Sequence, residues 1–479
     1  MNSCNQYYTR WSRPALLLAL SLSLGLGACE KQLDLQPLQS VDADTALDSE
    51  QKVTSAVVGM YAKLGNPALY GTNLILLPEL MGGDGYVNWR GTFQSYREIR
   101  TRSSYTSINT EAERVWRRAY EAINQANLVL DALPVVSTAA LKRQYEGEAR
   151  FIRAAMYFEL VRLYAQQYQP GQPNSQLGVP ISLVAVKTLE QSAVRGPRAT
   201  VAEVYNQVIS DLRAIVEPGN GNSLLPDNNG TRASKYAAEA LLARVYLQQS
   251  NFTEAGRWAN DVIENSGKSL SPTLAAVFTN RNSQESLFEI QQNDQNNAGT
   301  ANDGLATFFA SDGGVGRGDV QVTGGFASQY EDSDVRGTDS LNASNTRKLI
   351  YLGDGARPNQ LRTIKWRTFA QNIPVIRLGE MYLIRAEAQV RTGNVDDALR
   401  DVNLIRSRSG ASELTTVTAA DVLRERRLEL AFEGFRIHDF KRTNTNPISS
   451  LPITDPKLLL PIPQREINVN ELLTQNPGF

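Results

Sequence analysis

From Ile373 to Gly410 apolar positions recur at helical spacing in two runs separated by a turn. Between Arg377 and Arg391 there is no proline and one glycine, and Ala, Leu, Glu, Arg and Met dominate, all strong helix formers. Thr392-Gly393-Asn394 reads as a turn. A second helix is expected from Val395 to about Arg408, closed by Gly410 as a C-cap. Ala386 and Ala398 lie twelve residues apart, where two crossing helices need a small side chain. That is the spacing of the small packing positions in a tetratricopeptide unit. Residues 239–266 carry the same pattern: with Ala255 set on Ala398, Ala243 falls on Ala386, Asn251 on Asn394 and Asn260 on Asn403. The copies stand 143 residues apart, so the insert between them needs its own explanation.

Other stretches repeat the helical period. Thr45–Leu64 places Val53, Val57, Met60 and Leu64 on one side. Thr110–Leu133 and Leu141–Gln166 are long helical runs joined through Pro134, and Leu141, Tyr145, Ala149, Ile152, Met156, Leu160 and Leu163 form a core-facing stripe. Ala199–Val216 is a further helix. The fold class expected is mostly α, built of helix pairs over about 45–64, 110–166, 199–266 and 377–440.

Two stretches break the pattern, 65–109 and 271–371. The first has Gly82-Gly83-Asp84-Gly85, then Tyr86, Trp89, Phe93 and Tyr96, and reads as a loop. Its aromatics are either anchors folded back onto the body or a binding surface. The second is rich in Gly, Asn, Asp and Ser, with short β-like runs at Ser286–Gln291 and Leu361–Trp366. Loops of this length in a compact protein are usually functional or mobile. Ala419–Arg442 is the most charged helix: Arg427 falls on its apolar face and needs a partner, for which Glu429, Glu433 and Asp439 are at hand. An internal ion-pair network is expected there.

Composition bounds the function. Of 479 residues, 42% are hydrophobic and 21% charged, and the net charge of −1 leaves no footprint for nucleic acid. Both cysteines lie in the first 29 residues, so no disulfide framework is possible beyond them. Arg10 and Arg13 precede an apolar run from Ala15 to Leu26 that ends in Leu26-Gly27-Ala28-Cys29. This resembles a bacterial lipobox: residues 1–28 are expected to be removed and Cys29 to carry lipid, with residues 29–42 as a polar tether. Removal of 1–28 takes the net charge from −1 to −3.

Several motifs fail. Ser266-Gly267-Lys268-Ser269 lacks the first glycine and the strand of a P-loop. The glycines at 313–318 do not complete GxGxxG. Asp332, Asp334 and Gly337 mimic the start of an EF-hand loop, but Arg336 and Ala343 occupy ligand positions, and no metal or cofactor is assigned. The single histidine, His438, lies in the charged helix, and a carboxylate pair is the one enzyme chemistry left open.

Taken together, the lipobox with Glu30 behind it, Arg198–Leu212, Ile373–Gly410, the ERRLELAFEGFRIHDFKR segment at 425–442 and the terminal QNPGF resemble the SusD/RagB family of surface lipoproteins from Bacteroidetes-type bacteria. The resemblance implies four TPR-like helix pairs as a scaffold, with the irregular segments packed on it as the ligand-binding half. It implies a non-catalytic, surface-exposed outer-membrane lipoprotein that captures nutrients, mostly oligosaccharides, and caps a TonB-dependent SusC-type transporter. It also implies an aromatic arc on the loops, which places Asp84, Tyr86, Asn88, Trp89 and Arg90 as ligand contacts, with Phe308, Phe309 and Trp366 from the other half. A TPR-type interaction scaffold without a small ligand and a carboxylate-dependent glycosidase are the alternatives.

Overall fold

The computed structural model describes residues 46–219, 221–297, 303–338 and 348–479; the signal segment, Cys29 and the tether lie outside the described residues. Helices form where the apolar stripe and a capping residue coincide. Helix α1, Glu50–Leu64, starts at Ser49, whose side chain accepts from the Lys52 N–H, and it buries Val53, Val57, Met60 and Leu64. Helix α2, Thr110–Asp131, is capped by Asn109, which accepts from the N–H groups of Glu111 and Ala112. Helix α3 is Ala139–Tyr164. Helix α4, Val201–Val216, opens with a reciprocal capping box of Thr200 and Glu203. Helices α5, Lys235–Gln248, and α6, Phe252–Asn265, form the first repeat copy. Helices α7, Leu378–Thr392, and α8, Val395–Arg408, form the second, followed by α9, Ala419–Glu429.

Successive helices pack as pairs: α2 on α3, α3 on α4, α5 on α6 and α7 on α8. The two repeat copies also stack directly, α6 on α7, although 143 residues separate them. Ala243, Ala255, Ala386 and Ala398 are all fully buried, as close helix crossing requires. At Gly256 an added Cβ would lie 2.9 Å from that of Ala388, so a larger side chain would push α6 off α7. The insert thus leaves the scaffold after α6 and returns at α7 without interrupting the stack.

The irregular half is organised by three antiparallel strand pairs. β1, Val87–Trp89, pairs with β3, Val320–Val322, with Trp89 opposite Val320. β2, Ser286–Ile290, pairs with β6, Ile373–Arg377, and β4, Ile350–Leu352, with β5, Leu361–Thr363. The β1–β3 pair joins the two stretches that break the helical period. The 65–109 stretch is more ordered than a loop: Asn73–Leu80 and Gln94–Thr101 are helices. Leu74, Ile75, Leu76, Leu77 and Leu80 are buried there, and that burial outweighs the glycine break that follows.

The charged segment is an internal network, with one correction. Glu429, fully buried, accepts from Arg377 at 2.8 Å and Arg336 at 3.0 Å and also pairs with Arg408. Glu433 pairs with Lys365 at 2.6 Å and Arg377 at 2.7 Å, and Glu285 with Arg377 at 2.8 Å. Burial alone would raise the Glu429 carboxyl, but the guanidiniums of Arg408, Arg377 and Arg336 hold it well below the usual carboxylate range. The network bolts the insert, through Glu285, Arg336 and Lys365, to α7, α8 and α9. Arg427 is not its centre. It is half-buried, its guanidinium lies 5.3 Å from the Phe326 ring centroid, and burial lowers its pKa. Arg426, one position back, takes the acid partners instead: Asp439 at 3.0 Å and Glu380 at 3.7 Å. A one-residue step on a helix turns a side chain by about 100°, which is enough to exchange the two roles.

Candidate ligand-binding site

The 82–96 segment closes down on the body. In β1 alternate side chains face opposite ways, so Val87 and Trp89 point inward and Asn88 outward. Trp89 is 7% exposed; its Nε1 donates to the Phe93 carbonyl at 3.1 Å, and its ring packs on Tyr96 and Phe308 with centroids 4.6 and 5.2 Å away. At Gly91 an added Cβ would fall 2.6 Å from the Trp89 ring, so the turn needs glycine to pass over the indole.

The structure therefore corrects the aromatic arc. Tyr86, Trp89, Phe308, Phe309 and Trp366 are all buried, and none offers a ring face to solvent. Tyr86 donates to Glu79 and stacks on Phe432. Trp366 donates to the Phe432 carbonyl at 2.7 Å and packs on Phe278. Large aromatic area drives them inward, and each polar tip finds a backbone or carboxylate acceptor. Of the polar candidates, Asp84 and Asn88 both serve Arg100, accepting from its two terminal nitrogens at 2.8 and 3.1 Å. Arg90 is exposed, and its Nε donates to Gln321 at 2.7 Å.

One aromatic of the cluster does reach the surface. Phe93 is 38% exposed, and the Arg317 guanidinium stands 5.1 Å from its ring centroid. Beneath the rim Asp319, 1% exposed, accepts two bonds from Arg317 at 3.0 and 2.7 Å and one from Arg357 at 2.5 Å. The rim thus presents a partly exposed phenyl ring with the Arg317 guanidinium over it, on a base of Trp89, Tyr96 and Phe308. Such a surface can stack the apolar C–H face of a sugar ring and donate to its hydroxyls. Strand alternation points to Trp89 as the inward residue; nothing local marks Phe93, at the start of the 94–101 helix, as the outward one. Among the described residues no cluster of three or more His, Cys, Asp or Glu is placed to hold a metal ion. At the EF-hand-like turn Asp334 is engaged by Arg336 at 2.8 Å.

Stacked helix hairpins with an irregular half of paired short strands define a helical-repeat protein with long inserted segments packed on its scaffold. Residues 31–247 match the family described as "starch-binding associating with outer membrane", and residues 360–447 match the SusD family. A SusD-like protein of Bacteroides ovatus is 25% identical, over 88% of this chain and 81% of its own length. The starch-binding protein SusD of Bacteroides thetaiotaomicron is 24% identical over 97% and 98%. The crystal structure of a putative sugar binding protein from Bacteroides vulgatus superposes with a TM-score of 0.76 at 26% identity, covering 91% of this chain and all of the other. The chain belongs to the SusD family. Among the described residues no helix is long and apolar enough to cross a membrane.

Proposed function

We propose that this protein is a non-catalytic receptor for an oligosaccharide nutrient, held at the outer-membrane surface by lipid on Cys29, that passes its ligand to a TonB-dependent SusC-type transporter. The observation that carries the reading is the partly exposed ring of Phe93 beneath Arg317, on a chain whose relatives include a protein named for starch binding. Asp319, the carboxylate under the rim, is committed to Arg317 and Arg357, which suits a structural part rather than a proton donor. Contact through one modest aromatic predicts weak binding, micromolar to millimolar or about −4 to −8 kcal/mol, as suits a protein that must release its cargo. Calorimetric titration of the protein and of Phe93→Ala against a glycan panel tests the site. Affinity lost in the variant at an unchanged melting temperature is the expected result; equal affinity in both removes Phe93 from the site. Metabolic labelling with a palmitate analogue, with Cys29→Ala as the control, tests the anchor, and co-purification with the outer-membrane transporter tests the partner.

A further inference from the structure

Arg427 and Arg436 stand apart from the ion pairs around them. The other two arginines of the 425–442 segment are closed by carboxylates: Arg426 by Asp439 at 3.0 Å, and Arg442 by Glu387 and Asp439, both at 2.7 Å. Among the described residues the guanidiniums of Arg427 and Arg436 form no ion pair and no hydrogen bond. Both residues are half-buried, and they wall one small hollow together with Glu79, Tyr86 and Asp439. The two carboxylates of that hollow are already engaged. Glu79 accepts from the Tyr86 hydroxyl and from the N–H groups of Gly434 and Phe435, and Asp439 accepts from Arg426 and Arg442. Two positive charges are therefore left over at one place, on a chain whose net charge is −1.

Aromatic rings hold the pair in place. The Arg427 guanidinium lies 5.3 Å from the Phe326 ring centroid, and that of Arg436 lies 5.4 Å from the Tyr86 centroid and 4.0 Å from the Phe440 centroid. The Tyr86 and Phe326 rings meet edge to face at 4.6 Å, so the two cations rest on one aromatic floor. The Arg436 stem runs over Gly82, where an added Cβ would collide with its Cγ. Like charges placed in this way repel. Burial and the Arg427 charge lower the Arg436 pKa to about 10, which leaves it charged at neutral pH. In both residues Nε is buried without a partner, and the terminal nitrogens, equally unbonded, reach the surface.

These features select an anion. A guanidinium presents a planar fork of donors that matches oxyanions. Here two forks from different helices, Arg427 on α9 and Arg436 on the helix Arg436–Arg442, meet at one hollow. A carboxylate fills one fork with its two coplanar oxygens. A phosphate or sulfate group offers oxygens in several directions and carries up to two charges, enough for both forks. The hollow measures about 10 Å3, room for one oxygen and not for a sugar ring, and it shares no residue with the rim around Phe93. We propose that Arg427 and Arg436 form an oxyanion-binding site that takes a phosphate or sulfate group, with one oxygen in the hollow and the others on the two guanidinium forks.

The test is calorimetric titration of the full chain, solubilised in a neutral detergent, with inorganic phosphate, sulfate and acetate in chloride buffer of fixed ionic strength. Phosphate or sulfate should bind with a Kd of about 1 mM or tighter, and acetate roughly tenfold more weakly. Arg427→Gln and Arg436→Gln should each weaken the binding by roughly tenfold with the fold retained; glutamine at 436 keeps the stem carbons over Gly82. Arg424→Gln, an exposed arginine on the same helix, should leave the affinity within about twofold, because salt screens its charge. Should Arg436→Gln fail to fold, Arg427→Lys, which keeps the charge and loses the fork, carries the readout beside Arg427→Gln. Sedimentation of the Cys29→Ala protein with phosphatidylcholine vesicles, with and without phosphatidic acid, separates the sources of the group. Binding that needs phosphatidic acid and is lost in Arg427→Gln assigns a lipid headgroup; binding of the inorganic ions without vesicle binding assigns a free anion. No binding in either assay, with the ions at about 20 mM, overturns the proposal. So does acetate bound as tightly as phosphate and sulfate, affinity equal in the parent and the Arg427 and Arg436 variants, or an equal loss in Arg424→Gln.

Discussion

The ring of Tyr86 lies face to face with that of Phe432, centroids 5.4 Å apart and planes 7° from parallel. The Tyr86 hydroxyl donates to Glu79 and accepts from the Phe432 N–H at 2.8 Å. Glu79, 1% exposed, also accepts from the N–H groups of Gly434 and Phe435 at 2.8 and 2.9 Å. One buried carboxylate thereby ties the glycine-rich segment to the turn that ends the LELAFEG stretch. The irregular half is held to the scaffold at this point.

Tyr86→Phe keeps the stack and deletes the hydroxyl. Glu79 then loses a donor in a site closed to water, which costs about 1–3 kcal/mol. Denaturant unfolding should show the lower midpoint at an unchanged slope, with glycan affinity retained. A variant as stable as the parent would mean that water or a side-chain shift replaces the hydroxyl.

Trp89→Ala behaves as the loss of a core residue. Removing a buried indole from between Tyr96 and Phe308 leaves a cavity and costs roughly 3–5 kcal/mol. The melting temperature should fall steeply. A stable variant that has lost glycan binding would restore Trp89 as a contact residue and reject its burial.

Arg377 and Arg427 separate network from neighbour. Arg377→Ala takes a shared cation from Glu285, Glu429 and Glu433, whose side chains are at most 4% exposed, and should cost roughly 3–5 kcal/mol or abolish folding. Arg427→Ala removes a single ring contact worth about 0.5–1 kcal/mol. Comparable losses in the two variants, read by thermal melts, would contradict this division.

The difference between what sequence discloses and what it hides follows from range. Thr110–Asp131 and Val395–Arg408 are legible because stripe and turn signals lie within a few residues of one another. The pairing of α5 with α6 and of α7 with α8 is legible from the alanine spacing, since close helix crossing demands small residues; the stacking of α6 on α7, which turns on Gly256 and Ala388, is not. The fate of Trp89 is not legible either, because the strand that turns it inward pairs with Val320–Val322, more than two hundred residues on, and that partner is too short to be marked locally. Exposure of Phe93 depends on which face of the aromatic cluster Phe308 covers, again a contact between distant segments.

Lys441 gives the fold a pH signature. It is 2% exposed, and its Nζ donates to the Arg162 carbonyl at 2.6 Å. Burial, with the nearby Arg162 charge adding to it, lowers its pKa to about 7. His438 on the same short helix is held neutral, because burial lowers its pKa well below the usual value and the charges of Arg162, Lys441 and Arg244 repel a proton. Between the folded value and the ordinary lysine value of about 10.4, the unfolded chain carries a proton that the folded chain does not. Stability attributable to this residue therefore rises with pH across that window and is lowest below pH 7. Each step of one pH across the window is worth about 1.36 kcal/mol, so the whole of it contributes at most roughly 5 kcal/mol. Lys441→Met removes the titration and retains the buried length of the side chain, at the loss of one hydrogen bond. The melting temperature of the wild type should climb relative to that of the variant as pH is raised from 7 to about 9.5, the range over which the unfolded lysine stays mostly protonated. Parallel pH profiles for the two proteins would show that Lys441 titrates as an ordinary lysine and that water reaches its ammonium.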